Sequence, residues 1–203
     1  MILRYSEARL PTPHGDFRLV VYRTGEVAGP GGTAVGMGNE EHVAMVLGDV
    51  RGDDVLTRVH SSCFTGEVLG SLRCDCRDQL DAALERIGKI GRGVVIYLVQ
   101  EGRGIGLGNK VRAYQLQDAG ADTVDANLQL GFEADLRSYD LAAGMLGDLG
   151  VTSVRLMTNN PQKISGLERA GVVIAAHESH WVSSTEHSAG YLAAKKTKLG
   201  HLA

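Results

Sequence analysis

All three cysteines of the chain lie within one short window, Cys63-FTGEVLGSLR-Cys74-Asp75-Cys76. Single cysteines are common as small core residues, but clustered thiolates are typical of metal sites. A Cys-x-Cys pair does not readily form a disulfide with itself, whereas both thiolates can reach one ion after a tight turn. Three thiolates leave a tetrahedral zinc ion one open position, which is the pattern of a catalytic zinc site.

The fourth ligand decides what such a site does. His60, shortly before the first cysteine, either closes the shell and makes the zinc structural, or lines the pocket and leaves a place for water. Zinc lowers the pKa of a bound water to about 7 and so supplies a nucleophile at neutral pH. Nucleobase deaminases use a comparable centre, but their His-x-Glu and Cys-x-x-Cys elements are missing from this sequence.

A glycine-rich segment, QEGRGIGLGNK at 100–110, follows an apolar run and precedes an expected helix. The N–H groups at the start of a helix can bind a phosphate, and glycines let a ligand approach the backbone closely. The segment matches neither the P-loop pattern nor G-x-G-x-x-G, so alone it indicates only a loop. Arg103, Lys110 and Arg112 strengthen the case for an anion site, because cationic groups pair with oxyanions.

Further candidates for binding and proton transfer lie in the second half of the chain. Asp135 and Arg137 are either a pair that caps the next helix or a general base beside its charged partner. Tyr114, expected to face the glycine-rich turn, would orient a substrate or would only pack. The segment 158–161, Thr-Asn-Asn-Pro, follows a strand, where open α/β sheets bind ligands. The residues alone therefore predict a zinc hydrolase that acts on a phosphorylated small molecule.

The elements that must position these residues alternate between strand and helix patterns. Apolar runs predict strands at 17–22, 42–50, 55–60, 93–99, 151–157 and 172–175. Helical spacing predicts helices at 78–91 (ended by Gly88 and Gly91), 109–118, 141–149 (capped by Gly150) and 164–167. The glycine-rich segment at about 25–39 is expected to be a mobile loop. This order predicts an α/β fold: a mixed sheet with flanking helices and a β-rich N-terminal part.

Composition limits the possible classes of function. The chain has 203 residues, with 21 Lys+Arg against 24 Asp+Glu and a net charge of -3, whereas a general nucleic-acid binder is more basic. No window approaches the roughly 18 consecutive apolar residues of a membrane helix, and the N-terminus lacks the apolar core of a secretory signal. An odd number of cysteines cannot form a complete set of disulfides. We therefore expect a reduced, cytoplasmic protein that binds neither nucleic acid nor membrane.

Taken together, these segments resemble GTP cyclohydrolase II of riboflavin biosynthesis. The matching stretches are RVHSSCFTGEVLGSLRCDC, QLDAAL, QEGRGIGLGNKVRAYQLQDAGADTVDAN, QLGF, TNNPQK and YLAAKKTKLGH. They span nearly the whole chain apart from the 25–39 loop and part of the C-terminal region. The resemblance thus implies a single GTP cyclohydrolase II domain over residues 1–203. It leaves no room for the dihydroxybutanone-phosphate synthase domain that is fused to this enzyme in many bacteria and plants.

The resemblance implies a double hydrolysis of GTP. The imidazole ring of guanine would be opened with release of formate, and the α-β phosphoanhydride would be broken with release of pyrophosphate. The product would be 2,5-diamino-6-ribosylamino-4(3H)-pyrimidinone 5′-phosphate. The resemblance also implies one catalytic Zn2+ per subunit, Mg2+ with the triphosphate, and a homodimer.

The family's functional residues carry over onto matching positions of this sequence. Cys63, Cys74 and Cys76 would bind zinc, which favours the pocket role of His60. Asp135 would accept a proton, Arg137 would be the nucleophile, and Tyr114 would complete the catalytic set. GTP would be bound by Arg58, Val59, His60, Ser61, Ser62, Gln79, Glu101, Gly102, Arg103, Thr123, Thr158 and Lys163. Because a guanidinium stays protonated, with a pKa above about 12, the alternative is that Arg137 stabilises the phosphoryl transition state by its charge.

The sequence departs from the family pattern at several positions. Ser62 stands in place of the usual Glu before the first zinc cysteine, and Leu136 in place of the usual Glu between Asp and Arg. Arg77 and Asp78 replace a Gly and an apolar residue, and Gly108 replaces a Leu. Since the zinc and catalytic residues are kept, we expect hydrolysis to survive with altered affinity or product release. The alternatives are a variant that stops at the formamidopyrimidine intermediate, one that only binds purine nucleotide, and a structural zinc module.

Overall fold

The computed structural model describes residues 2–24, 40–121, 123–133 and 135–181. The strands are Ile2–Thr12 (β1), Gly15–Thr24 (β2), Glu41–Leu47 (β3), Val55–Ser61 (β4), Gly93–Leu98 (β5), Val154–Met157 (β6) and Ile174–Glu178 (β7). The helices are Phe64–Glu67 (α1), Cys76–Ile90 (α2), Gly106–Asp118 (α3), Thr123–Gln129 (α4), Asp140–Asp148 (α5) and Pro161–Arg169 (α6). The loop expected at 25–39 and the closing segment YLAAKKTKLGH lie outside the described residues.

The described strands form one mixed sheet in the order β1-β2-β3-β5-β4-β6-β7. The first three strands are an antiparallel meander, and β3 pairs antiparallel with β5. From there the strands β5, β4, β6 and β7 run parallel to one another. The predicted fold class, a mixed sheet with flanking helices and a β-rich N-terminal part, is confirmed.

Helices cover both faces of this sheet. On one face Ile87 of α2 packs against Leu56 of β4 in an apolar cluster. On the other face Met145 of α5 and Leu167 of α6 pack with Val59 of β4. Strand residues alternate between faces, so β4 sends Arg58 and His60 towards the α2 side and Val59 into the opposite core.

The parallel strands place their carboxyl ends at one edge of the sheet. The connection after β4 leads through α2 to β5 on one side, whereas the connection after β6 leads through α6 to β7 on the other. Neighbouring connections that diverge in this way open a crevice, which is where open α/β sheets bind ligands. The cysteine window, the glycine-rich segment and the 158–161 segment follow β4, β5 and β6 respectively.

The N-terminal strand was missed by the sequence patterns. Residues of β1 are mostly exposed, so they carry no apolar alternation that would identify a strand. Its pairing is instead supplied by β2, in a register that runs from Ile2 opposite Thr24 to Thr12 opposite Gly15. Backbone hydrogen bonding to a recognisable neighbour thus specifies this strand.

Helix α2 corrects the expectation that Gly88 ends it. The helix continues through Gly88 to Ile90, and Gly91 caps it with a left-handed φ of 76°. Gly88 has a packing role, because a Cβ there would overlap the carbonyl oxygen of His14 in the first hairpin turn.

The other predicted elements exist with shifted ends. The strand predicted to reach Val50 ends at Leu47, and the one predicted from Val151 starts at Val154. The last strand runs over 174–178 rather than 172–175, and α3 begins at Gly106 rather than Asn109. The short helices α1 and α4 were not predicted. Among the described residues, no helix is long and apolar enough to span a membrane.

Candidate functional site

The three cysteines converge on one point beyond the carboxyl end of β4. Their sulfurs lie within 4.8 Å of one another, and the Cys63 and Cys74 sulfurs are 3.6 Å apart. A disulfide needs about 2.05 Å, whereas two sulfurs on a tetrahedral zinc ion with bonds of about 2.3 Å lie about 3.8 Å apart. All three thiols are free. The donor set and its spacing therefore fit a zinc ion.

The thiols also perturb one another electrostatically. Hydrogen bonds with Cys74 and Cys76 lower the pKa of Cys63, and the ammonium of Lys110 lowers it further. The hydrogen bond with Cys63 raises the pKa of Cys74. The Lys110 ammonium therefore favours the thiolate form of Cys63.

Gly66 of α1 leaves the space that the thiols occupy. A Cβ at this position would lie 2.8 Å from the Cys74 sulfur and 3.3 Å from the Cys63 sulfur. Gly66→Ala is therefore expected to spread the sulfurs and weaken zinc binding by at least about tenfold, as measured by competition with a chromophoric chelator. Gly66 has no positive φ, so the effect would be steric rather than conformational.

Gly147 of α5 provides the matched control for this substitution. A Cβ there would meet nothing within 4 Å. Gly147→Ala should leave zinc affinity unchanged and stabilise the helix by about 0.5–1 kcal/mol. Equal zinc affinity of Gly66→Ala and the parent chain would contradict the packing interpretation.

His60 is not a fourth ligand of the thiol group found among the described residues. Its Nε2 lies 2.9 Å from Oε1 of Glu67, and its ring stacks on Tyr97 with the centroids 5.8 Å apart. The Tyr97 hydroxyl donates to Oε2 of the same Glu67 at 2.7 Å. Burial lowers the pKa of His60, so the ring is neutral. The sequence patterns missed Glu67 and Tyr97, although Glu67 lies inside the cysteine window.

The glycine-rich segment forms a tight turn that reaches back to the thiols. Glu101 accepts a hydrogen bond from the backbone N–H of Phe64 at 2.6 Å and another from Gly102 at 3.0 Å. The Lys110 ammonium donates to Glu101 at 2.7 Å and contacts the Cys63 sulfur at 3.1 Å. Lys110 thus pairs with an oxyanion of the protein itself, the Glu101 carboxylate. Arg112 is exposed and donates to Asn109 at 3.3 Å.

Gly102 and Arg103 both adopt left-handed backbone conformations in this turn, with φ of 62° and 61°. Such a conformation is uncommon for a non-glycine residue and is found preferentially at functional sites. The Arg103 carbonyl accepts the Leu136 N–H at 3.1 Å. This bond joins the glycine-rich turn to the segment that carries Asp135 and Arg137.

Asp135 and Arg137 form a side-chain pair rather than a helix cap. Asp135 Oδ1 accepts from the backbone N–H and from Nε of Arg137, at 3.1 and 2.8 Å, and Oδ2 accepts from Nη2. Burial raises the pKa of Asp135, but the hydrogen bond and charge of Arg137 outweigh it and bring the pKa below its usual value. Helix α5 begins only at Asp140, without a cap from Asp135. The capping alternative is therefore wrong.

Tyr114 faces the thiol loop, residues 63–76, which carries the three cysteines. Its hydroxyl is 3.3 Å from the Thr65 hydroxyl, and Arg73 lies over its ring at 4.8 Å from the centroid. Burial raises the pKa of Tyr114, so the phenol is protonated at neutral pH. The thiols, the glycine-rich turn and α3 are thus brought to one place.

The floor of the site is a buried polar chain that crosses from β6 to α2. Arg58 donates to the Met157 carbonyl at 2.8 Å and to the Gln79 side-chain oxygen at 2.5 Å. The Gln79 amide in turn donates to Asp75 at 2.6 Å. Burial lowers the pKa of Arg58 to about 10, which still leaves it charged at neutral pH. Gln79 therefore ties a buried cation to the cysteine window.

Most of the remaining predicted binding residues follow or contact the carboxyl ends of β4 and β6. Lys163 donates to the Val59 carbonyl at 2.6 Å, while the Val59 side chain is in the core. The Ser62 hydroxyl accepts the Gln100 N–H at 3.2 Å. Thr158 is buried and accepts the Asn160 N–H at 3.1 Å. Thr123 begins α4, and its side chain is outside the described part of the chain.

Unsatisfied polar atoms concentrate at this edge. Within the described residues, five buried side-chain nitrogens or oxygens lack a hydrogen-bond partner, and four of them belong to Arg58, His60, Ser61 and Gln100. Buried polar groups normally have partners, so such a concentration is typical of a place that takes a ligand or ordered water.

Comparisons with known proteins identify the family. A family model described as GTP cyclohydrolase II matches residues 3–179. The GTP cyclohydrolase-2 of Aeromonas hydrophila is 50% identical over 198 residues, covering 97% of this chain and 95% of that protein. The riboflavin biosynthesis protein RibBA of Mycobacteroides abscessus is 51% identical over 206 residues, covering 98% of this chain and 47% of that protein. The chain thus spans about half the length of such RibBA relatives.

Structural similarity adds little. The solved structure of RibBX, a two domain 3,4-dihydroxy-2-butanone 4-phosphate synthase from A. baumannii, aligns with a TM-score of 0.43 and 19% identity. The alignment covers 87% of this chain and 40% of that one. The assignment rests on the family model and on the Aeromonas relative, which the chain covers almost from end to end. The chain belongs to the GTP cyclohydrolase II family.

Proposed function

We propose that this chain hydrolyses GTP, opening the imidazole ring of guanine with release of formate and releasing pyrophosphate from the triphosphate. The product would be 2,5-diamino-6-ribosylamino-4(3H)-pyrimidinone 5′-phosphate, an early compound of riboflavin biosynthesis. The observation that carries the proposal is the convergence of three thiols, the Asp135–Arg137 pair and Tyr114 at one edge of the sheet, in a chain of this family.

Cys63, Cys74 and Cys76 would hold one zinc ion, with a position open for a ligand that the protein does not supply. Bound there, zinc would lower the pKa of a water molecule and so provide the nucleophile for hydrolysis of the guanine ring. The chain's own residues would do the rest. Arg58 and His60, with their unpaired buried nitrogens, would lie below the bound nucleotide, and Tyr114 would donate its phenol proton to a polar atom of the substrate.

The Asp135–Arg137 pair would act on the triphosphate. Transfer of a proton from Arg137, whose guanidinium stays protonated, to Asp135 is strongly uphill, because the hydrogen bond and charge of Arg137 bring the pKa of that carboxyl below its usual value. We therefore favour a charged Arg137 that stabilises the phosphoryl transition state. Asp135 would hold the guanidinium in a fixed orientation by accepting from its Nε and Nη2. Mg2+ would accompany the triphosphate and neutralise part of its charge.

A homodimer is part of the proposal. The thiol loop exposes Phe64, Val68, Leu69 and Leu72, and the exposed side of α3 adds Leu107 and Val111. An apolar group of this kind is typical of a protein contact surface, and light scattering on the full chain would give its mass in solution. A second copy covering this surface would also shield the thiol loop from solvent.

The proposal is tested by incubating the zinc-loaded full chain with GTP and Mg2+ and measuring formate and pyrophosphate separately. Release of both, in equal amounts, is the expected result. Pyrophosphate without formate would show that the guanine ring stays closed or that the reaction stops at the formamidopyrimidine intermediate, and Ser62 in place of Glu is the first residue to revert. Saturable GTP binding with neither product would overturn the proposal and leave a nucleotide-binding protein.

A further inference from the structure

Lys110 has an environment unlike that of a residue that binds substrate phosphates. Its ammonium donates to Glu101 Oε1 at 2.7 Å and contacts the Cys63 sulfur at 3.1 Å, and its side chain is only 12% exposed. Both partners belong to the protein, and one of them is a proposed zinc ligand. The ammonium is therefore directed at the metal centre.

The carboxylate that holds this ammonium is itself fixed by the backbone. Glu101 accepts the N–H of Phe64, the residue after Cys63, at 2.6 Å and the N–H of Gly102 at 3.0 Å. Carboxylates locked by several donors have little freedom to rotate. Glu101 thus fixes the position of Lys110 relative to the thiol loop.

Helix α3 presents Lys110 and Tyr114 on one face, because the two residues are one turn apart. The Lys110 nitrogen lies 5.8 Å from the centre of the Tyr114 ring, and the Tyr114 hydroxyl reaches Thr65 at 3.3 Å. Lys110 therefore stands between the thiols, the glycine-rich turn and the tyrosine.

A zinc ion with three thiolates carries a net charge of -1. An N–H···S hydrogen bond from an ammonium to one thiolate withdraws electron density from that sulfur. Partners of this kind orient metal ligands and tune the metal. We propose that Lys110 is a positioning residue of the metal centre, which holds the Cys63 thiolate by a hydrogen bond and so strengthens zinc binding. The inference rests on the zinc site of the proposed function.

The test compares the full-length parent chain with Lys110→Met, which keeps an unbranched side chain only one atom shorter but has no donor. Zinc affinity is measured by competition with a chromophoric chelator, and the cobalt-substituted protein is examined for its sulfur-to-cobalt charge-transfer band. We expect Lys110→Met to bind zinc about 10- to 100-fold more weakly. Its charge-transfer band should move to longer wavelength, because the thiolate has lost a hydrogen bond that stabilised its electrons.

Two further variants make the result specific. Lys110→Arg keeps the charge and the donors and should fall between the parent and Lys110→Met in both measurements. Lys89→Met removes an exposed lysine at the end of α2 that forms an ion pair with Glu85 at 2.6 Å, and should match the parent. Circular dichroism shows whether metal-free Lys110→Met is folded. If it is unfolded, the position of the charge-transfer band in Lys110→Arg tests the inference instead, since a guanidinium changes the N–H···S contact.

The inference is overturned if Lys110→Met and Lys110→Arg both match the parent in zinc affinity and in the position of the charge-transfer band. Neither measurement uses turnover. A parent chain that binds zinc without releasing formate would therefore overturn the proposed function. The role of Lys110 would still be tested by the zinc affinities and the charge-transfer bands.

Discussion

Replacing Cys74 with serine is expected to remove zinc and reduce formate release by about three orders of magnitude or more. A metal ion supplies several kcal/mol of stabilisation to a hydrolytic transition state, and each 1.36 kcal/mol is a factor of ten in rate. Cys74 is only partly buried, and its sulfur lies 3.6 Å from that of Cys63. The substitution should therefore remove a ligand without opening a large cavity in the core.

The metal-stripped parent chain is the matched control for Cys74→Ser, because it keeps every thiol and lacks only the ion. Both samples should show the same circular dichroism spectrum and the same loss of formate release, and only the parent should recover when zinc is returned. Zinc content is measured by atomic emission on the same samples. Formate release that persists in zinc-free Cys74→Ser would mean that the thiol group is not the hydrolytic centre.

Arg137→Ala is expected to lower the release of pyrophosphate by about 10³-fold, in the range found for arginines that stabilise phosphoryl transfer. Arg137 is 14% exposed and its partner Asp135 21%, so the charge acts in a partly desolvated place. Arg137→Lys keeps the charge but loses the planar pair with Asp135, and should retain an intermediate rate. Pyrophosphate is measured in a coupled assay and formate in parallel.

The chain contains its own control for the geometry of this pair. Arg51 donates to Asp49 through its backbone N–H at 3.1 Å and through Nε at 2.9 Å, nearly as Arg137 does to Asp135. That pair lies at the amino end of β4 and is far more exposed, with 78% of the Arg51 side chain accessible. Arg51→Ala should leave both products unchanged. If Arg137→Ala and Arg51→Ala behave alike, Arg137 has no role in the reaction.

The two Asp-x-Arg pairs also explain why a motif by itself is weak. Both sequences predict the same local side-chain geometry, because in a turn an arginine can donate to the carboxylate of an aspartate two residues before it. The two pairs differ in their position relative to the sheet. The Arg103 carbonyl fixes Leu136 and so brings Asp135 and Arg137 to the carboxyl edge, whereas Asp49 and Arg51 lie at the opposite end.

Helices and strands were predictable from the sequence where burial requires apolar residues to recur at regular spacing. Strand β5 and helix α2 are recognisable because their buried positions recur at the spacing of a strand and of a helix. Strand β1 was not, because its residues are mostly exposed and its conformation follows from pairing with β2. Gly88 predicts a helix end because glycine often terminates helices, and only the proximity of His14 gives the reason for a glycine within α2.

The residue types and the spacing of the three cysteines, the Asp135–Arg137 pair and the glycine-rich segment were enough to predict a thiolate metal site beside an anion site and to indicate the family. They determine which chemistry is available, since ligand type and charge are properties of single side chains. The tertiary structure alone decided that His60 pairs with Glu67 rather than joining the thiols, and that Lys110 contacts Cys63 rather than remaining open to a phosphate. Both outcomes depend on which groups from distant segments of the chain meet in the folded protein, where buried polar groups normally pair with a group within hydrogen-bond distance.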